Sequence, residues 1–134
     1  MRLRCMGLAA LLAAQGAWAQ ERVLDDFEGA LAWKTVASDG VKGELRPAAG
    51  RNGQALRFDF DLGTSSGYVA ARRTLPLAFE GDYEISFWIR ADAPVNNFEL
   101  KLVDASGDNV WWVKRPDFVI GAEWRKVTFK KRHI

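Results

Sequence analysis

An all-β chain, folded as an antiparallel β-sandwich of the jelly-roll type, is what the residue pattern predicts. Apolar and polar residues alternate with period two in one segment after another. No stretch after residue 20 keeps a helical period over three turns. Turn residues separate the alternating segments at the short intervals of two-layer sheets.

Residues 22–27 (RVLDDF) read as the first strand. The turn Ser38-Asp39-Gly40 precedes a second at 41–46. After the loop 50–53 (GRNG), residues 54–62 (QALRFDFDL) alternate cleanly, with Leu56, Phe58 and Phe60 inward and Arg57, Asp59 and Asp61 outward. A fourth strand, 68–75, follows a small-residue loop. Residues 82–91 (DYEISFWIRA) send Ile85, Phe87 and Ile89 inward, and Glu84, Ser86, Trp88 and Arg90 outward. Segments 98–104 and 109–115 form a hairpin, and a last strand opens at Glu123-Trp124 and runs to Lys130. The chain stops at KKRHI while still reading as strand, so the sandwich is expected to be incomplete at its C-terminal side, the N-terminal piece of a longer protein.

The hairpin carries its own register. With Asp104 opposite Asn109, Leu102 faces Trp111 and Leu100 faces Val113, which with Phe98 make one apolar face. The other face pairs Val103 with Val110, Lys101 with Trp112 and Glu99 with Lys114, so opposite charges meet across the strands. A slip of one residue would turn Lys101 and Glu99 into the core. Trp111 is thus expected in the core, and Trp88 and Trp112 off it. Trp33 and Trp124, at element edges, read as packing residues.

An indole left on a sheet surface offers a flat apolar platform on which a pyranose ring stacks, while neighbouring polar groups hydrogen-bond its hydroxyls. Arg90, Lys101, Glu99 and Tyr68, with Arg72, are the candidate polar partners. The alternative is that loops or further strands cover the two rings.

Residues 1–19 belong to export rather than to the fold. Arg2 and Arg4 lead into an apolar run, 7–14 (GLAALLAA), too short to span a bilayer, and Ala17-Trp18-Ala19 is an A-x-A cleavage site. The mature domain is therefore expected to be 20–134, secreted or periplasmic, with no membrane insertion. Cys5 precedes the apolar run, where a lipid-bearing cysteine would follow it. As the single cysteine, it leaves a mature chain that must be held by its core or by a metal. Removing Arg2 and Arg4 from 19 basic residues leaves 17 against 17 acidic ones, so the net charge of +2 falls to zero and general attraction to nucleic acid has no basis.

Catalytic machinery does not assemble from these residues. His133 is the single histidine and lies one residue from the end, and Asp59 and Asp61 read as the wet side of a strand. The loop 50–53 lacks the Gly-Lys-Ser/Thr of a phosphate loop. Asp25, Asp26 and Glu28 place three carboxylates before a glycine; by spacing they read either as calcium ligands with carbonyls from a glycine-rich loop or as a solvated acidic turn. The stretch 104–109 (DASGDN) reads as a hairpin turn.

VLDDFEG after the cleavage site, then GRNGQALRFDF, DYEISFWIRAD and a late EWRKVTF, resembles the non-catalytic carbohydrate-binding β-sandwiches of the galactose-binding-like superfamily. The resemblance spans residues 23–129. It is similar to modules at the N-terminus of exported bacterial glycan-degrading proteins, some of which carry discoidin (coagulation factor 5/8 type C) domains. It implies a jelly roll with a structural calcium ion, whose ligands include Glu28 of the DFE segment, with Asp26 beside it, backbone oxygens near the GRNG loop and an acidic residue of a final strand that this sequence lacks. The implied partners are a polysaccharide or oligosaccharide and a downstream catalytic or discoidin-type domain of the same chain. The rival expectations are a structural or docking sandwich with no ligand, and an enzyme whose site is completed beyond Ile134.

Overall fold

A computed structural model describes residues 20–134 apart from residue 65. The expected signal peptide, with Cys5 and Trp18, lies outside the described residues. Among the described residues there are eight strands: β1 Lys34–Ala37, β2 Lys42–Ala49, β3 Gln54–Asp61, β4 Val69–Arg72, β5 Glu84–Ile89, β6 Asn96–Val103, β7 Val110–Phe118 and β8 Arg125–Lys130. A short 3-10 turn, Lys131–His133, follows. Every pairing is antiparallel: β1 with β4, β2 with β3, β5 with β8, and β6 with β7. The fold is an all-β sandwich, as the alternation predicts. Its hydrogen bonds divide it into four two-stranded ribbons rather than two continuous sheets.

The core sits where the last ribbons meet. Phe129 of β8 has 0% of its surface exposed, and Val127 is also buried. The Phe87 and Phe98 rings lie 6.0 and 6.1 Å from that of Phe129, centre to centre, and Phe118 packs 5.3 Å from Phe98. Arg115 stands opposite Phe98 on this inner face. Its guanidinium lies over the Phe129 ring at 4.4 Å and donates to the Thr128 carbonyl at 3.0 Å, so the charge has both a π face and an acceptor.

Residues 22–27 do not form the expected strand. Asp25 Oδ1 accepts a hydrogen bond from Phe27 N, and Phe27 takes the left-handed conformation with φ 63°, which ends any extended run. Asp25 Oδ2 accepts from Trp33 Nε1 at 2.7 Å and from the Arg73 guanidinium. One carboxylate thus ties the N-terminal segment to the chain leaving β4. Strand β1 went unpredicted because its four residues, KTVA, are too few to show a period.

Two inward assignments also need correction. Trp111 does face Leu102 on the apolar side of the β6–β7 ribbon, but it is 50% exposed. Phe60 packs on Phe58 at 5.6 Å yet is also exposed. In both cases the strand parity is as read, but the ring stays open to solvent on its inward side.

The Asp25 cluster yields a stability test. Burial pushes its carboxyl pKa up, but hydrogen bonds from Phe27, Trp33 and Arg73 outweigh this and hold it below its ordinary value. Its contribution is complete above the ordinary 3.8 and is lost as pH falls through the depressed folded value. Asp25→Ala leaves the part-buried Arg73 guanidinium without its carboxylate and is expected to cost about 2–3 kcal/mol in urea unfolding at neutral pH. A cost under about 0.5 kcal/mol, typical of an uninvolved surface site, would contradict this.

Candidate functional site

The pleat places two aromatic surfaces on the outer faces of the ribbons. On β5–β8 the outward pairs are Glu84 with Lys130, Ser86 with Thr128 and Trp88 with Lys126. Trp88 is 45% exposed, and the Arg51 guanidinium lies 4.0 Å above its ring. Arg51 comes from the loop between β2 and β3, where Gly50 N donates to Gly53 O at 2.8 Å. Gly53 has φ 71°, a left-handed conformation that favours glycine, and a Cβ there would push Glu28 Oε1, 2.1 Å away, from its place. Two residues past Trp88, the Arg90 guanidinium lies 5.1 Å over the Trp124 ring.

On β6–β7 the predicted register is observed at each pair: Lys101 with Trp112, Glu99 with Lys114, Leu100 with Val113, Leu102 with Trp111 and Val103 with Val110. Trp112 is 57% exposed. Lys101 Nζ sits 5.3 Å from its ring and forms an ion pair with Glu99 at 2.9 Å. An open indole with a cation and a carboxylate beside it is suited to stack an apolar ring face and to hydrogen-bond the hydroxyls around its rim.

Asp104 shapes the turn below this platform. Its carboxylate accepts from Asn109 Nδ2 at 2.6 Å, Ser106 Oγ at 2.7 Å and Gly107 N at 2.9 Å. The Asn109 and Ser106 hydrogen bonds lower its pKa to about 2.

The predicted site residues therefore separate. Trp112, Lys101 and Glu99 come together. Trp88 lies on a different ribbon, and Arg90 reaches Trp124 rather than Trp88. Tyr68 is exposed beside β4, where its backbone exchanges hydrogen bonds with Ser38, on another ribbon again. Arg72 is the β4 residue opposite Lys34. Arg51 and Lys126 were missed: the strand pattern carries no signal for a loop residue folding back, nor for a partner from a strand some forty positions on in the chain.

Glu28 and the 50–53 loop do lie together, as the resemblance implies. Glu28 Oε1 accepts from Gln54 N at 2.6 Å, and Asp26 Oδ1 from Glu28 N at 3.1 Å. Among the described residues no three His, Cys, Asp or Glu side chains gather around one point. Calcium takes six or more oxygens, so this donor set does not by itself fit the ion.

No family model matches the chain. It is 31% identical over 90 residues to Endoglucanase H of Acetivibrio thermocellus, an alignment covering 67% of this chain and 9% of that protein. Two solved structures from Clostridium thermocellum share its fold. One is the family 11 carbohydrate-binding module of the cellulosomal cellulase Lic26A-Cel5E, with TM-score 0.65 and 25% identity over 85% of this chain and 67% of that one. The other is a family 11 carbohydrate-binding module in complex with a beta-1,3-1,4-mixed-linked tetrasaccharide, with TM-score 0.59 and 23% identity over 81% and 65%. The chain thus spans about two thirds of these modules and a small part of the endoglucanase.

The turn is directly testable. An NMR-monitored titration should place the Asp104 midpoint at about 2, and Asn109→Ala should move it up toward the ordinary 3.8. Because the folded value is the lower one, the turn's contribution holds above 3.8 and fades as pH falls through about 2. A midpoint indifferent to Asn109→Ala would show that the side-chain bond is not formed.

Proposed function

We propose that this chain is a non-catalytic carbohydrate-binding module that holds a polysaccharide through the outer face of its β6–β7 ribbon. The observation that carries the reading is Trp112, more than half exposed on a sheet face, with Lys101 over it and Glu99 paired to Lys101. The shared fold with family 11 modules supports it, and the mixed-linked tetrasaccharide bound by one of them suggests a β-glucan as the first ligand to try.

The match to a stretch of an endoglucanase supports a catalytic partner in the same polypeptide, with a discoidin-type domain as the other candidate neighbour. The reading also carries export to the periplasm or beyond, since a polysaccharide is met there. Tethering to a partner raises the effective concentration of a weak single site.

Affinity electrophoresis in gels containing mixed-linkage β-glucan and other plant polysaccharides tests the platform. The chain should be retarded, and Trp112→Ala should weaken binding about tenfold, near 1.4 kcal/mol. Retardation unchanged by Trp112→Ala would remove the platform assignment, and no retardation by any glycan would favour the ligand-free docking sandwich.

A further inference from the structure

The outer face of β5–β8 differs in charge from that of β6–β7. Around Trp112, Lys101 is neutralised by Glu99, and Lys114 faces Glu99 across the ribbon. Around Trp88, Arg51 lies on the ring and Lys126 is the directly opposite residue, while Arg90 follows two positions on and lies over Trp124. Arg51, Arg90 and Lys126 are all exposed. Arg46, Arg57, Arg73 and Lys101 each pair with a carboxylate within 4 Å, whereas among the described residues Arg51, Arg90 and Lys126 have no such partner. Of the acids on these segments, Glu84 faces Lys130 and Glu28 accepts from Gln54 N, while Asp92 and Glu123, which flank Arg90 and Trp124 in the chain, are exposed and form no ion pair within 4 Å among the described residues. Three cations without an ion-pair partner therefore lie beside two indoles on one face.

We infer that the Trp88–Arg51–Lys126 face, extended by Arg90 and Trp124, is a second glycan-binding surface, selective for acidic sugars such as uronates. The inference rests on reading the chain as a glycan binder. Its chemistry is separate from the Trp112 platform. A guanidinium lying on an indole presents its N–H edge outward, in the fork that matches a carboxylate through two parallel hydrogen bonds. Lys126 adds a point charge from the adjacent strand. The open part of Trp88 supplies the apolar contact that an inorganic anion would not use. A neutral sugar gains nothing from the cations and must compete with Arg51 for the ring.

Isothermal titration of the full chain with polygalacturonate and with neutral mixed-linkage glucan, at low and at moderate NaCl, tests this. Arg51→Ala and Lys126→Ala should each weaken polygalacturonate binding five- to tenfold and leave the neutral glucan within twofold. Added salt should weaken the acidic ligand alone. Trp88→Ala should lower polygalacturonate affinity as well, marking ring contact beyond charge. Equal binding of both polymers, or equal effects of the cation substitutions on both, would overturn the acidic assignment while leaving the Trp112 platform intact. Double-stranded DNA bound as tightly as polygalacturonate would make the face a general polyanion surface and overturn it too. Binding to neither glycan would remove both readings.

Discussion

Burying Phe129 beneath Phe87 and Phe98 is the constraint on which the rest of the arrangement depends. Phe87 sits opposite Val127, and Phe98 opposite Arg115, so the position of this ring cluster sets the facing of two ribbons at once. Because side chains alternate across a strand, committing Phe87 and Phe98 inward commits Trp88, Glu99, Lys101 and Trp112 outward. The exposed indoles are thus the necessary other side of the aromatic core. They cannot be withdrawn without turning charged residues into it.

The two outward faces then diverge through what the remaining chain supplies. The β6–β7 ribbon closes on its own turn and brings its own counter-charges, which gives Trp112 a balanced, open setting. On the β5–β8 ribbon, Trp88 receives Arg51 from a distant loop and Lys126 from its partner strand β8, and neither brings a carboxylate with it. The same ring type therefore sits in two electrostatic settings, one suited to a neutral pyranose and one to a charged sugar.

Legibility in the sequence tracked the range of the interactions. The β6–β7 register was readable because the pairing is local and a slip would bury Lys101. The outward placement of Trp88 followed from the alternation of β5 alone. The 22–27 segment was misread because Asp25 makes its decisive contacts 8 and 48 residues away, to Trp33 and Arg73, and the resulting turn breaks a sequence that otherwise looks extended. Trp111 shows a different limit: parity says which side a residue faces, not whether anything lies over it. Arg51 was invisible for the reason Asp25 was, a long-range return of the chain.

Indole N–H resonances of residues 20–134, measured with a soluble paramagnetic relaxation agent, test the central geometric claim most directly. The Trp88 and Trp112 signals should broaden strongly, while that of Trp33, whose Nε1–H is held by Asp25, should be largely spared. Trp88 and Trp112 signals as protected as that of Trp33 would mean the rings are covered, and the surface on which a sugar is to lie would not exist.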